Sequence, residues 1–166
     1  MSNISYSGVV KLTFSGGRSV VSTNEGTSVL FSALCKLLTT ARLSDLSILP
    51  SYISLIRDTN IDSTEYDNYK DDTLVITPLQ INSRETLIEE GQPKCRFSSL
   101  ITNSLLSSRF NSLNSNDSCY MMLLDGNLKI MAYAKYSVES LQALNSSNAQ
   151  AVVEWQMTFT NKEKKN

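Results

Sequence analysis

The stretch Cys119–Tyr136, CYMMLLDGNLKIMAYAKY, decides the fold class. Two apolar and aromatic runs, Cys119 to Leu124 and Leu128 to Tyr136, flank Asp125-Gly126-Asn127. An Asp-Gly pair between two such runs is a strong local hairpin signal, because a tight strand reversal needs backbone angles that most residues resist. Further on, in Ala151 to Thr160 (AVVEWQMTFT), Val153, Trp155, Met157 and Phe159 alternate with Val152, Glu154, Gln156 and Thr158. That two-residue period belongs to a strand with one buried and one wet face.

Working outward, Gly8 to Phe14 (GVVKLTF), the turn Ser15 to Arg18, and Ser19 to Thr23 read as a second hairpin. A third spans Thr86 to Ile101 about Glu90-Gly91-Gln92-Pro93, with Cys95, Phe97, Ser99 and Ile101 on one side of its second strand. Tyr52 to Ile56 (YISLI), after Pro50, reads as a buried strand. Thr73 to Gln80 (TLVITPLQ) is another strand, which Pro78 confines to an edge or a bulge. Asn103 to Ser118 is Ser/Asn-rich and leaves a short helix and a draped loop equally open.

One helix is expected, from Thr27 to about Arg42, with Thr27 or Ser28 as its cap. Leu30, Leu34, Leu37, Leu38 and Ala41 recur at three- and four-residue steps beside Phe31 and Cys35, while Ser32, Lys36 and Thr39 point outward. The expected fold is therefore mainly β: an antiparallel β-sandwich of seven or eight short strands with one amphipathic α-helix, about residues 27–42, packed on it. Residues 1–161 form a single domain in this reading, and 162–166 a basic flexible tail holding Lys162, Lys164 and Lys165.

The 166 residues carry a formal charge of -1, with both signs interleaved, so no footprint for a phosphate backbone is visible and nucleic acid is not an expected partner. No apolar run approaches the roughly 18 to 20 residues of a membrane span, and Met1 to Ser7 lack the basic start and apolar centre of a signal peptide. No membrane association is expected, and synthesis and retention in the cytosol are. Cys35, Cys95 and Cys119 are far apart without CxxC spacing and read as buried thiols.

The chain has no histidine, which removes the commonest general base, the Ser-His and Cys-His nucleophile arrangements and the commonest zinc ligand. Glu89-Glu90 and Asp71-Asp72 are adjacent pairs, and neighbours in a strand face opposite sides, so they cannot share a catalytic site. Gly16-Gly17 lacks a phosphate-cradle context. No catalysis and no cofactor are expected.

Asp58 to Asp72 (DTNIDSTEYDNYKDD) is polar and acidic without an apolar period, and reads as a long exposed loop. Asp58, Asn60 and Asp62 reproduce the first three alternating ligands of a calcium loop. Ser63 and Tyr69 then stand where glycine and a bidentate glutamate are required, which excludes an EF-hand and leaves at most an irregular calcium site. Tyr52, Tyr66, Tyr69, Tyr120, Tyr133 and Tyr136 are candidates for lining a sugar or protein contact. Strand tyrosines are expected to pack on the sheet, whereas Tyr66 and Tyr69, with Asp71, are expected to be exposed partner contacts. Leu74 and Ile76 are added as edge-strand residues able to extend a neighbour's sheet.

The order of these segments resembles a known group. Asn24-Glu25-Gly26-Thr27 leading into a Leu30-Phe31 helix, then Pro50 with YISLI, resembles the front half of small structural proteins of tailed bacteriophages. Leu124-Asp125-Gly126-Asn127-Leu128 with Met131-Ala132-Tyr133, and the final VVEWQMTF, resembles the ending of tail, baseplate and collar proteins that accompany fibre genes. The resemblance implies a non-enzymatic virion subunit, made in the host cytoplasm, that assembles as a homo-oligomeric ring or adaptor. Its partners would be copies of itself, other virion proteins and tail fibres. The alternatives are a carbohydrate- or ligand-binding β-sandwich, marked by a concave tyrosine-lined face, and a cytosolic chaperone for fibre or tail assembly.

Overall fold

Among the described residues nine strands and one main helix follow each other: β1 (Asn3–Phe14), β2 (Ser19–Gly26), α1 (Ser28–Thr39), β3 (Pro50–Arg57), β4 (Leu74–Gln80), β5 (Ser83–Glu89), β6 (Gln92–Thr102), β7 (Ser118–Asp125), β8 (Ile130–Ser137) and β9 (Gln150–Lys162). These assignments come from a computed structural model that describes residues 3–40, 44–57, 60–69, 73–114, 116–146 and 148–162. Arg42, Asp58, Asp71 and the tail residues Lys164 and Lys165 lie outside the described residues. Lys162 ends β9 opposite Asn3, so the strand reaches into the segment read as a tail.

All strand pairs are antiparallel, and the hydrogen bonds join them in the spatial order β4-β3-β7-β8-β2-β1-β9-β6-β5. The sequence reading expected the two separate layers of a sandwich. The structure has one continuous sheet curled into a half-barrel.

Continuity comes from β2. Ser19 to Thr23 pair with β1, and Asn24 to Gly26 pair with β8, so one strand passes from one half of the sheet to the other. At the opposite margin, β4 and β5 are consecutive in the chain, and the Ile81-Asn82 link between them holds both ends of the curl. Ile81 N–H donates to the Ser51 carbonyl before β3's second half at 3.2 Å, and Asn82 N–H donates to the Ser98 carbonyl of β6 at 2.8 Å.

The inner faces of the two halves enclose one core, in which Leu12, Leu55, Leu123 and Trp155 are fully buried. The alternation read in the last strand holds: Val153, Trp155 and Met157 face the core, while Val152 is exposed. Tyr136 crosses this core and donates its hydroxyl proton to the Val10 carbonyl at 2.5 Å, tying β8 to β1.

The turns follow local chemistry. Between β5 and β6, Glu90 (φ 52°) and Gly91 (φ 75°) both take left-handed angles, the mirror-image turn suited to a twisted hairpin. The β7–β8 turn works differently from its Asp-Gly reading. Its positive φ belongs to Leu128 (60°), while Gly126 leaves room for the segment before β3, where a β-carbon would lie 2.9 Å from Ser47 Cα. Asp125 is buried, and its Oδ1 accepts from the N–H groups of Asn127 (2.8 Å) and Lys129 (2.9 Å). Asn103 to Ser118 resolves into two short 3-10 turns, Asn103–Leu105 and Ser108–Ser112, that lay Phe110 into the core.

Helix α1 starts where expected, and its last helical residue is Thr39. It lies across the open side of the curl and buries Leu30 and Ala33. Of the expected buried thiols only Cys119 is buried: Cys35 is exposed on α1 and Cys95 half-buried in β6.

Candidate functional site

Two surfaces of the molecule are candidates for a functional site. The first is the mouth of the curl. On a ladder, opposed residues share a face, so the pairs Thr86–Cys95, Cys95–Met157, Tyr6–Phe159 and Ile88–Pro93 put Tyr6, Ile88, Cys95 and Phe159 on the inner side. Past the helix this inner side stays open, with Ile88 74% exposed.

The helix adds to the same surface. Phe31 meets the Tyr6 ring edge-on at 6.2 Å between centroids yet remains 46% exposed, and Leu38, about two helical turns further along, is 79% exposed. Between α1 and the sheet lies an apolar groove of about 270 Å³, walled by Leu34, Leu37, Phe97 and Phe159, with Arg84 at its rim. Of the apolar stripe read from the periodicity, Leu30 is buried and Leu34 half-buried, whereas Phe31, Cys35, Leu37 and Leu38 are exposed and Ala41 lies outside the described residues.

The second surface lies on the outer face of the β2-β8-β7 half. Here Tyr66, Tyr120, Met122 and Ile130 form a smaller buried cluster flanked by Tyr52, Tyr69 and Tyr133. Residues 60–69 of the segment read as an exposed acidic loop are described: Ile61, Tyr66 and Tyr69 pack against this face, while Asn60, Asp62, Glu65, Asp67 and Asn68 are exposed. Glu65 bridges to Lys129 in a strand-like contact, and Tyr66–Asn68 make a 3-10 turn.

Tyr66, expected at an exposed contact, is 7% exposed, with its hydroxyl 3.0 Å from the Ser54 hydroxyl. Apolar ring area outweighed the polar composition around it, since burying an aromatic side chain stabilises by roughly 1.5–3 kcal/mol. Tyr69 is half-buried and its hydroxyl lies 3.4 Å from the Ser63 backbone.

The remaining proposed contacts fare similarly. Ile76 faces the core at 1% exposure and Leu74 is half-buried against the outer cluster. The outer edge of β4 is capped at Val75, whose carbonyl accepts from Ser107 N–H at 2.7 Å. Asn60 and Asp62 are exposed, Asp58 and Asp71 lie outside the described residues, and among the described residues no three acidic or cysteine side chains gather as a metal site.

Asn60 instead borders a hollow of about 270 Å³ with Thr23, Glu25, Tyr120, Tyr133 and Lys135. Tyr133 Oη donates to Glu25 Oε2 at 2.8 Å, and this bond to a carboxylate is the first cause holding the Tyr133 phenol above its ordinary pKa. Tyr120 and Tyr133 meet edge to face at 5.9 Å. Sequence reasoning named both tyrosines and Asn60, but missed Glu25 and Lys135, which reach the hollow only through the β2–β8 and β7–β8 registers.

No protein-family model, no curated protein and no solved structure matches the chain.

Proposed function

We propose that the chain is a non-enzymatic structural subunit of a tailed phage particle, a ring or adaptor of the tail, baseplate or collar that helps attach fibres. The observation that carries the assembly part of this reading is the apolar groove between α1 and the sheet, whose wall residue Leu37 is 41% exposed, together with the exposed Phe31 and Leu38 of α1 and Ile88 of β5. Exposed apolar residues scattered singly are ordinary on soluble domains, but a contiguous patch beside a groove is the mark of a protein contact. Its occupants are neighbouring copies of the subunit and other virion proteins. The phage context itself rests on the sequence resemblance.

Light scattering at several concentrations tests the reading. The wild type is expected to form a discrete oligomer, and Leu38→Asp with Ile88→Asp is expected to leave a folded monomer. Both side chains are exposed, so the thermal midpoint should hold within about 0.5 kcal/mol equivalent. A wild type that stays monomeric and does not join purified particles overturns it.

A further inference from the structure

The hollow on the outer face is independent of the mouth, and its chemistry points to a different kind of ligand. The register sets Glu25 opposite Tyr133 and Tyr120 opposite Lys135, so four side chains from three strands converge on one side of the sheet. Asn60 joins them from the loop after β3 and Thr23 from β2.

Each group supplies something separate. The half-exposed Tyr133 ring, braced by Tyr120 and by its bond to Glu25, offers a fixed apolar face beside polar walls. The Glu25 carboxylate accepts, and among the described residues only Tyr133 bonds to it, through Oε2, which leaves Oε1 for a ligand hydroxyl. Lys135 is exposed, without a carboxylate partner among the described residues, and donates. The Asn60 amide does both.

An apolar ligand would strand these polar groups, and a phosphate would meet the Glu25 carboxylate. A pyranose ring suits all of them, because it has a C–H face to lay on an aromatic ring and a rim of hydroxyls that each donate and accept. The volume of about 270 Å³ lies just under the roughly 300 Å³ at which small-molecule pockets begin, room for one ring and not for an extended chain. We propose that this hollow binds a single neutral hexose unit of a saccharide, stacked on Tyr133 and hydrogen-bonded by Glu25, Lys135 and Asn60.

Saturation-transfer NMR with glucose, galactose, mannose and N-acetylglucosamine, each titrated against the whole chain, tests this. At least one sugar is expected to bind saturably in the millimolar range. Tyr133→Ala should weaken binding about tenfold through loss of the ring, and Glu25→Gln by about the same through loss of a charged acceptor. Tyr133→Phe keeps the ring and should retain most of the affinity. Circular dichroism checks that each variant is folded. Absence of saturable binding by all four sugars, or binding that a folded Tyr133→Ala variant leaves unchanged, overturns the proposal. Neither result bears on the assembly reading, whose residues lie on α1 and on the inner face of the sheet.

Discussion

Asn24 is buried at the position where β2 leaves β1 for β8: Thr23 is the last residue paired with Val9 and Asn24 the first paired with Ala134. Its side chain fills the space above Gly8, accepts the Tyr6 hydroxyl proton, and would overlap any β-carbon placed at residue 8. Gly8→Ala is therefore expected to destabilise by about 1–3 kcal/mol, the range for overpacking a filled site, read as a lowered urea midpoint. Adding Asn24→Ala should recover part of that loss, because the two residues share one volume. Cys119 makes a second residue-level prediction. Burial, with a smaller push from Asp117, raises its thiol to about 12. An unfolded thiol ionises near about 8.5, so this group leaves stability unchanged below that pH and removes it progressively as pH climbs toward 12. Burial also raises the Tyr6 and Tyr136 phenols, which act in the same direction from about pH 10 upward. Urea midpoints measured from pH 8 to 11 should fall more steeply for the wild type than for Cys119→Ala. In the native protein Cys35 should react with iodoacetamide while Cys119 does not.

Helix α1 owes its position to Thr27. The Thr27 hydroxyl accepts from Val29 N–H at 3.2 Å and lies 2.5 Å from the Ile130 carbonyl, to which it donates, while Thr27 N–H donates to Met131 at 2.9 Å. One residue thus caps the helix and pins it to β8. Thr27→Ala is expected to cost about 1–2 kcal/mol in the thermal unfolding midpoint, and Thr27→Ser to retain most of it. Elements of this kind were legible from the sequence because their signals are local. The Glu90-Gly91 and Asp125-Gly126 turns, the alternation of Val153 to Phe159 and the Thr27 cap each sit within a few residues of what they specify. The burial of Tyr66 was not legible, since the buried reading of Tyr52 to Ile56 does not say which segment covers that strand, and the residues around Tyr66 are polar. Nor was the limit of the helix's burial: a period of 3.6 groups Phe31, Cys35 and Leu38 on one side without saying whether anything lies against them.

At the scale of the whole molecule, what escaped the sequence is the pairing of distant strands. Nothing near Glu25 announces Tyr133, and nothing near Asn24 announces that β2 changes partners, so a curled single sheet and a two-layer sandwich share the same list of strands. The tyrosines of the hollow were legible as a residue type, and their assembly with Glu25 and Lys135 was not. The curl also separates two kinds of surface, an apolar mouth inside and a polar, tyrosine-bearing hollow outside, so that contact with a neighbour and contact with a small ligand need not compete. The position of β9 carries this separation into biosynthesis. Residues 150–162 fill the slot between β1 and β6, and Phe159 of that strand helps to wall the mouth. Until the ribosome has released that stretch, the two slot strands face each other as open edges and the groove lacks a wall. It follows that a nascent chain has no finished groove to offer, and that in the proposed assembly each copy completes its own fold before it joins another.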